Sequence, residues 1–208
     1  MNWAEYEGCL PQSQLGFVPG RSTLQAAFLL RHCVETAKAN RHQLFSVFVG
    51  FQAAYDTVDR RLLFEHLHGL GMPEQLLALI RHIYQGDVYV LVDGDKQARV
   101  EPKRGVKQGC PMSPTLFALY ISDLPQAIRQ HDHERGARTG LSDLVISDLE
   151  LADDLALLAN SDRDIQVFLQ RLQTYAARKR LTINVGKQKL CFLSAHHKHS
   201  GLSGKGSS

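Results

Sequence analysis

Apolar residues recur at helical spacing over residues 24–38, where Leu24, Ala27, Phe28, Leu30 and Val34 form a stripe behind the capping candidates Ser22 and Thr23. The period then changes. Residues 44–51, rich in β-branched and aromatic side chains, predict a buried strand that leads into a helical segment from Ala53 to Val58. Asp59 caps a helix with Leu62, Leu63, His66, Leu67 and Leu70 on its face, Gly71 stops it, and Pro73 starts another that runs to Gly86. Residues 88–92 and 97–101 flank the turn Asp93-Gly94-Asp95-Lys96 and predict a hairpin. Ser113-Pro114 opens a largely buried helix through Leu116, Phe117, Leu119, Tyr120, Ile121 and Leu124. The apolar runs 144–149 and 155–158 bracket Leu151-Ala152-Asp153-Asp154 and predict a second hairpin with the two acids at its turn. Ser161 and Asp164 resemble a capping box for a helix that turns Ile165, Phe168, Leu169, Leu172 and Tyr175 inward, and residues 190–193 form a last strand. The expected fold is α+β, an antiparallel sheet with helices packed on one face, in one domain over residues 1–194 with a mobile tail over 195–208.

The 208 residues, 44% of them hydrophobic, suffice for one sizeable core. No run reaches the 18 or so apolar residues of a membrane span, and Glu5 and Glu7 stand where a secretory leader is basic and then apolar, so an intracellular protein, nuclear or organellar, is expected. Cys9, Cys33, Cys110 and Cys191 are widely spaced, which suits buried reduced thiols. A net charge of +3 is only mildly basic, but its distribution is uneven. Asp143, Asp148, Glu150, Asp153, Asp154, Asp162 and Asp164 face Arg163 alone within residues 140–164, while Arg99, Lys103, Arg104 and Lys107, and again Arg178, Lys179, Arg180, Lys187 and Lys189, gather on either side. An acidic centre between basic flanks suits metal in the middle and phosphates along the sides, and ordinary solvated faces remain the alternative for each cluster.

Adjacent carboxylates repel, and on these residues alone they read either as a bland acidic turn or as the seat of a hard cation such as Mg²⁺, held by one or two carboxylates and substrate phosphates. The stretches around Asp153-Asp154 strengthen the latter reading. Phe48-Val49-Gly50-Phe51-Gln52-Ala53-Ala54-Tyr55-Asp56, then Gly105-Val106-Lys107-Gln108-Gly109-Cys110-Pro111-Met112-Ser113-Pro114, then Leu151-Ala152-Asp153-Asp154, then Leu181-Thr182-Ile183-Asn184-Val185-Gly186-Lys187 resemble reverse transcriptase motifs A, B, C and D in their order. Upstream, Gln14-Leu15-Gly16-Phe17-Val18-Pro19-Gly20-Arg21 is similar to the fingers signature of the non-LTR, LINE-type retrotransposon branch.

The resemblance implies a palm with part of the fingers, no thumb, and an RNA-directed DNA polymerase that uses Mg²⁺ or Mn²⁺ with an RNA template and a DNA primer, a larger polyprotein or complex supplying the thumb. It implies metal ligation by Asp153 and Asp154, a sugar platform at Tyr55, contacts to the template and nascent base pair at Gln108 and Gly109, a proton for the leaving pyrophosphate from Lys187, and a phosphate contact at Arg21. Motif A departs from the family pattern, because Gly50 stands where the third metal-binding Asp belongs, and Leu151 replaces a tyrosine in motif C. Asp56 lies six residues past Gly50, beyond the strand, where it is expected to cap or pair. The site is thus expected to be one ligand short. Two functions follow: a catalytically impaired polymerase palm, or a reverse-transcriptase-derived domain without catalysis that binds nucleic acid, serves as a structural subunit, or survives as a retrotransposon remnant.

Overall fold

The computed structural model describes residues 3–4, 7–130, 132, 135–141 and 144–193. Helix α1 (Thr23–Ala39) opens with Ser22 and Gln25 in a reciprocal capping box. Strand β1 (Leu44–Gly50) follows, then the short turn α2 (Ala54–Thr57) and helix α3 (Arg60–Gly69), whose N-cap Asp59 accepts from the amides of Arg61 and Leu62. Helix α4 (Glu74–Tyr84) leads to the hairpin β2 (Tyr89–Asp93) and β3 (Lys96–Val100), exposed along its whole length. The predicted helix from Ser113 through Leu124 is two helices, α5 (Ser113–Tyr120) and α6 (Leu124–Arg129). Pro125 has no amide to give a continuing helix, and its ring would meet the carbonyl of Ile121. The small ladder β4 (Ala137–Arg138) with β5 (Val145–Ile146) precedes the hairpin β6 (Asp148–Leu151) and β7 (Asp154–Ala159), and helix α7 (Asp162–Arg178) and strand β8 (Lys189–Leu193) complete the described fold.

The central sheet is antiparallel with order β6-β7-β1-β8. Val47, Val49, Leu155 and Leu157 point to one face and join Phe117, Tyr120, Phe168 and Leu172 from α5 and α7 in the larger core. Their strand neighbours Leu44, Leu149, Ala156 and Leu158 point the other way and meet Cys33 and Ala37 of α1. The fold is the expected α+β arrangement of helices on an antiparallel sheet, with the addition that α1 covers part of the second face.

The cysteines depart from expectation. All four are free, but only Cys33 is buried, its thiol pushed up to about 11 by desolvation, while Cys191 is exposed. The expected mobile tail, residues 195–208, lies outside the described residues.

Candidate active site

Antiparallel register brings the end of β1 to the acidic hairpin. Gly50 is the cross-strand partner of Asp154, and Val49 that of Leu155. Leu151 pairs with Asp154 across β6 and β7, so the two-residue turn is Ala152-Asp153. The acids therefore do not share the turn, as the sequence suggests: Asp153 occupies it and Asp154 begins β7. Cross-strand Cα atoms lie about 4.5–5.5 Å apart and consecutive ones 3.8 Å, so Gly50 and Asp153 are within about 9 Å of each other. That is inside the roughly 12 Å beyond which side chains could not converge on one Mg²⁺ with bonds near 2.1 Å.

A cavity of about 600 Å³ opens beside this pair, between α1 and the second face of the sheet, with Gly50, Leu151, Asp154, Gly186 and Lys189 in its lining. Residues 182–184 run along the end of β1: the Gln52 amide donates to the Thr182 carbonyl at 2.8 Å, and the Asn184 amide to the Gly50 carbonyl at 2.8 Å. The motif D segment thus closes one side of the cavity. Lys187 lies in a 3-10 turn (Val185–Lys187), but its side chain is outside the described residues. Lys189 pairs with Phe48 and so shares the face of Gly50 and Asp154, a cation at the cavity that the sequence showed only as one member of a basic cluster.

Two carboxylates at adjacent positions beside an open cavity suit one hard cation, whose remaining ligands can be phosphate and water. Among the described residues no group of three or more His, Cys, Asp or Glu side chains is arranged to hold a metal. Asp56 pairs as expected: its carboxylate accepts from Gln108 Nε2 at 2.8 Å. That bond ties the motif B loop to α2, as do the amides of Gly105 and Val106, which donate to the carbonyls of Val58 and Tyr55 at 2.8 Å each.

Tyr55 is half-buried against Phe117, ring centroids 5.1 Å apart, and burial raises its phenol pKa, helped by the nearby negative charge of Asp153. The tyrosine is therefore both a packing residue and a neighbour of the hairpin. Gly109 has φ +77°, which favours glycine, and a Cβ there would meet nothing within 4 Å, so its backbone faces open space. Arg21 spends Nη1 inside the chain, donating to the carbonyls of Pro11 and Gln14. A phosphate contact would have to use its remaining donors.

The charge clusters are more dispersed than their sequence suggests. Arg178 and Lys179 both pair with Asp123, and Arg180 pairs with Asp59 at 2.6 Å, so this basic run is engaged within the fold. Lys107 pairs with Asp87 at 2.7 Å. Of the acidic run, Asp148 is buried against Arg129, Asp164 pairs with Arg135, and Glu150 is buried. Desolvation drives the Glu150 pKa well above the ordinary carboxylate value, and the negative charge of Asp148 adds to it. Asp154 and the buried Glu150 are the acids of the run that line the cavity, with Asp153 beside Asp154 in the turn.

The family described as reverse transcriptase (RNA-dependent DNA polymerase) matches residues 4–202. The Pol polyprotein of the type-2 retrotransposable element R2DM of Drosophila melanogaster is 27% identical over 180 residues, covering 86% of this chain and 16% of that protein. The RNA-directed DNA polymerase from mobile element jockey of Drosophila funebris is 27% identical over 190 residues, covering 88% of this chain and 20% of that protein. The chain therefore spans a fifth or less of the length of these two relatives. Among solved structures, telomerase from Candida tropicalis in complex with a fragment of telomeric RNA superposes with a TM-score of 0.68 at 13% identity, covering 87% of this chain and 30% of that one. Apo telomerase from the same organism, truncated from its C-terminal domain, gives 0.65 at 14% identity, covering 85% of this chain and 36% of that one. At such identities the likeness is one of fold.

Proposed function

The chain belongs to the reverse transcriptase (RNA-dependent DNA polymerase) family, and from that premise we propose that residues 1–194 are a fingers and palm unit for RNA-templated extension of a DNA primer, catalytically impaired by Gly50. The observation that carries this reading is the register that sets Gly50 opposite Asp154 and one residue from the Asp153 turn. Asp153 and Asp154 would hold Mg²⁺ or Mn²⁺, which when bound neutralises triphosphate charge. Opposite Asp154, position 50 offers that metal no side-chain oxygen. Tyr55 would support the sugar of an incoming nucleotide, Gln108 and the open backbone at Gly109 would meet the template and nascent pair, Lys187 would hold a proton for the pyrophosphate, and Arg21 would face phosphate. A second reading, a family-derived domain that binds nucleic acid without extending it, is favoured by the same glycine.

Restoring the carboxylate tests the assignment. Gly50 lies in a regular strand and is absent from the residues with positive φ, so Gly50→Asp is compatible with the backbone. Its carboxylate would sit directly across from Asp154, and like charges in that position destabilise a sheet until a cation joins them. The variant should melt below the parent in EDTA and gain several degrees in millimolar Mn²⁺, a linkage worth about 2.7 kcal/mol when metal is 100 times Kd. The parent should respond little and give no primer extension above background. Equal metal responses would show that position 50 is not part of the site, and parental nucleotide addition abolished by Asp153→Ala would show that another group supplies the ligand.

A further inference from the structure

The two-residue turn that carries Asp153 is built on an unfavourable backbone. Ala152 has φ +61°, a left-handed conformation that costs an L-residue with a Cβ roughly 1 kcal/mol or more and that such turns usually give to glycine. Something else must hold it. The segment that does so lies about 140 positions upstream, in the stretch that resembles the fingers signature.

Residues 13–16 run beside β6 as an added parallel bridge, Gln14 opposite Glu150, with the Leu15 amide donating to the Glu150 carbonyl at 2.7 Å and the Glu150 amide to the Ser13 carbonyl at 2.8 Å. The Gln14 side chain is fully buried. Its Oε1 accepts two backbone donors, the Gly16 amide at 2.9 Å and the Ala152 amide at 3.2 Å, and its Nε2 donates to Glu150 Oε2 at 3.2 Å. One side chain thus satisfies the amide of the strained turn residue, the amide of Gly16 and the buried carboxyl of β6. Gly16 completes the fit, because a Cβ there would stand 2.3 Å from the Ala152 nitrogen, a distance no side chain tolerates. Arg21 fixes the segment in turn, through its donations to the carbonyls of Pro11 and Gln14.

We propose that Gln14, seated by the close approach of Gly16, is a positioning residue that pre-forms the Ala152-Asp153 turn and so sets the Asp153 carboxylate at the metal site. The role at the metal rests on the function proposed above; the role at the turn does not. An N-terminal segment is in this way coupled to the catalytic hairpin through one amide side chain. A shift of residues 13–16 would release the Ala152 amide.

Two measurements separate these roles. In the unaltered chain and in Gln14→Met, amide hydrogen exchange is followed at Ala152 and, as a core reference, at Leu157 of β7. Loss of the bond should speed exchange at Ala152 by at least about tenfold with Leu157 unchanged, since the opening is local. An unchanged Ala152, or a rise shared equally by Leu157, overturns the clamp. Mn²⁺ affinity is then compared between Gly50→Asp and Gly50→Asp/Gln14→Met. Partners that orient metal ligands are typically worth about 10- to 100-fold in affinity, and a tenfold loss is expected here. Equal affinities would overturn the positioning role. If Gly50→Asp binds no Mn²⁺ while Ala152 exchange still accelerates in Gln14→Met, the metal assignment fails and the clamp stands. Should Gln14→Met not fold, Gln14→Asn, which keeps the amide but withdraws it by one methylene, carries both comparisons.

Discussion

Glu150 is a carboxyl group two residues before the Ala152-Asp153 turn, 1% exposed, and its hydrogen-bonding partners are neutral. Burial raises its folded-state pKa well above 4.5, with Asp148 adding to the effect. In the pH window between 4.5 and that raised value, the folded chain holds a proton that the unfolded chain has released. Stability therefore falls as pH rises through the window, and the residue's favourable contribution is complete only below about pH 4.5. Glu150→Gln keeps the shape and an acceptor for Gln14 while removing the titration. It should unfold at higher urea than the parent at pH 7.5, with the advantage shrinking toward pH 4.5. Urea midpoints at the two pH values check this, and an equal offset at both would mean that the Glu150 charge is not the source. Much at this scale was legible beforehand: the adjacent acids in a hairpin beside the strand that carries Gly50, and Asp56 as a pairing residue. The roles of Gln14 and Gly16 were not, because they depend on contacts to Glu150 and Ala152 more than 130 residues away.

Among the elements, α3, the α5–α6 junction and α7 are joined by a buried polar knot. Lys179, 6% exposed, donates to the Tyr120 carbonyl at 2.8 Å and pairs with Asp123 at 2.9 Å, while Tyr175 donates to Asp123 at 2.6 Å and His66 lies 3.4 Å from the ammonium. Desolvation opposes the lysine charge and lowers its pKa, and Asp123 counters that shift. Removing one partner strands the other. Asp123→Ala should cost about 3 kcal/mol or more in urea unfolding, and adding Lys179→Met should recover part of it. If the double variant is no more stable than Asp123→Ala, the stranded charge is not the cause of the loss. The break that creates this junction could have been read from Pro125, and the burial of Lys179 within the basic run 178–180 could not. Residues 52 to 113 positions apart meet there only because the helices pack.

For the whole molecule, one group of exposed cations lies on and after the β2–β3 hairpin, where Lys96, Arg99, Lys103 and Arg104 are open to solvent. Binding to an RNA–DNA hybrid is therefore expected to be weak and electrostatic, with log affinity falling linearly against log salt at a slope no steeper than about −4. Reversing Lys96 and Arg99 to Glu should flatten that slope by about two. Salt titrations of a labelled hybrid read both, and binding insensitive to salt would exclude charge as the driving force. No helix among the described residues is long and apolar enough to cross a membrane.

Hydrophobic periodicity, capping residues and turn chemistry are local properties, and they determined the helices, the two main hairpins and the order of the motifs around Gly50, Asp153 and Asp154. Alternation along β1 and β7 also required that two sets of apolar side chains be buried on opposite faces. What no local pattern contains is register and long-range contact. Pairing of Gly50 with Asp154 rather than Asp153, the cover of the second face by α1, the burial of Lys179 and Glu150, and the grip of Gln14 on the Ala152 turn were decided only when distant segments packed. A single residue's slip in strand pairing would have turned every one of the β1 side chains to the other face.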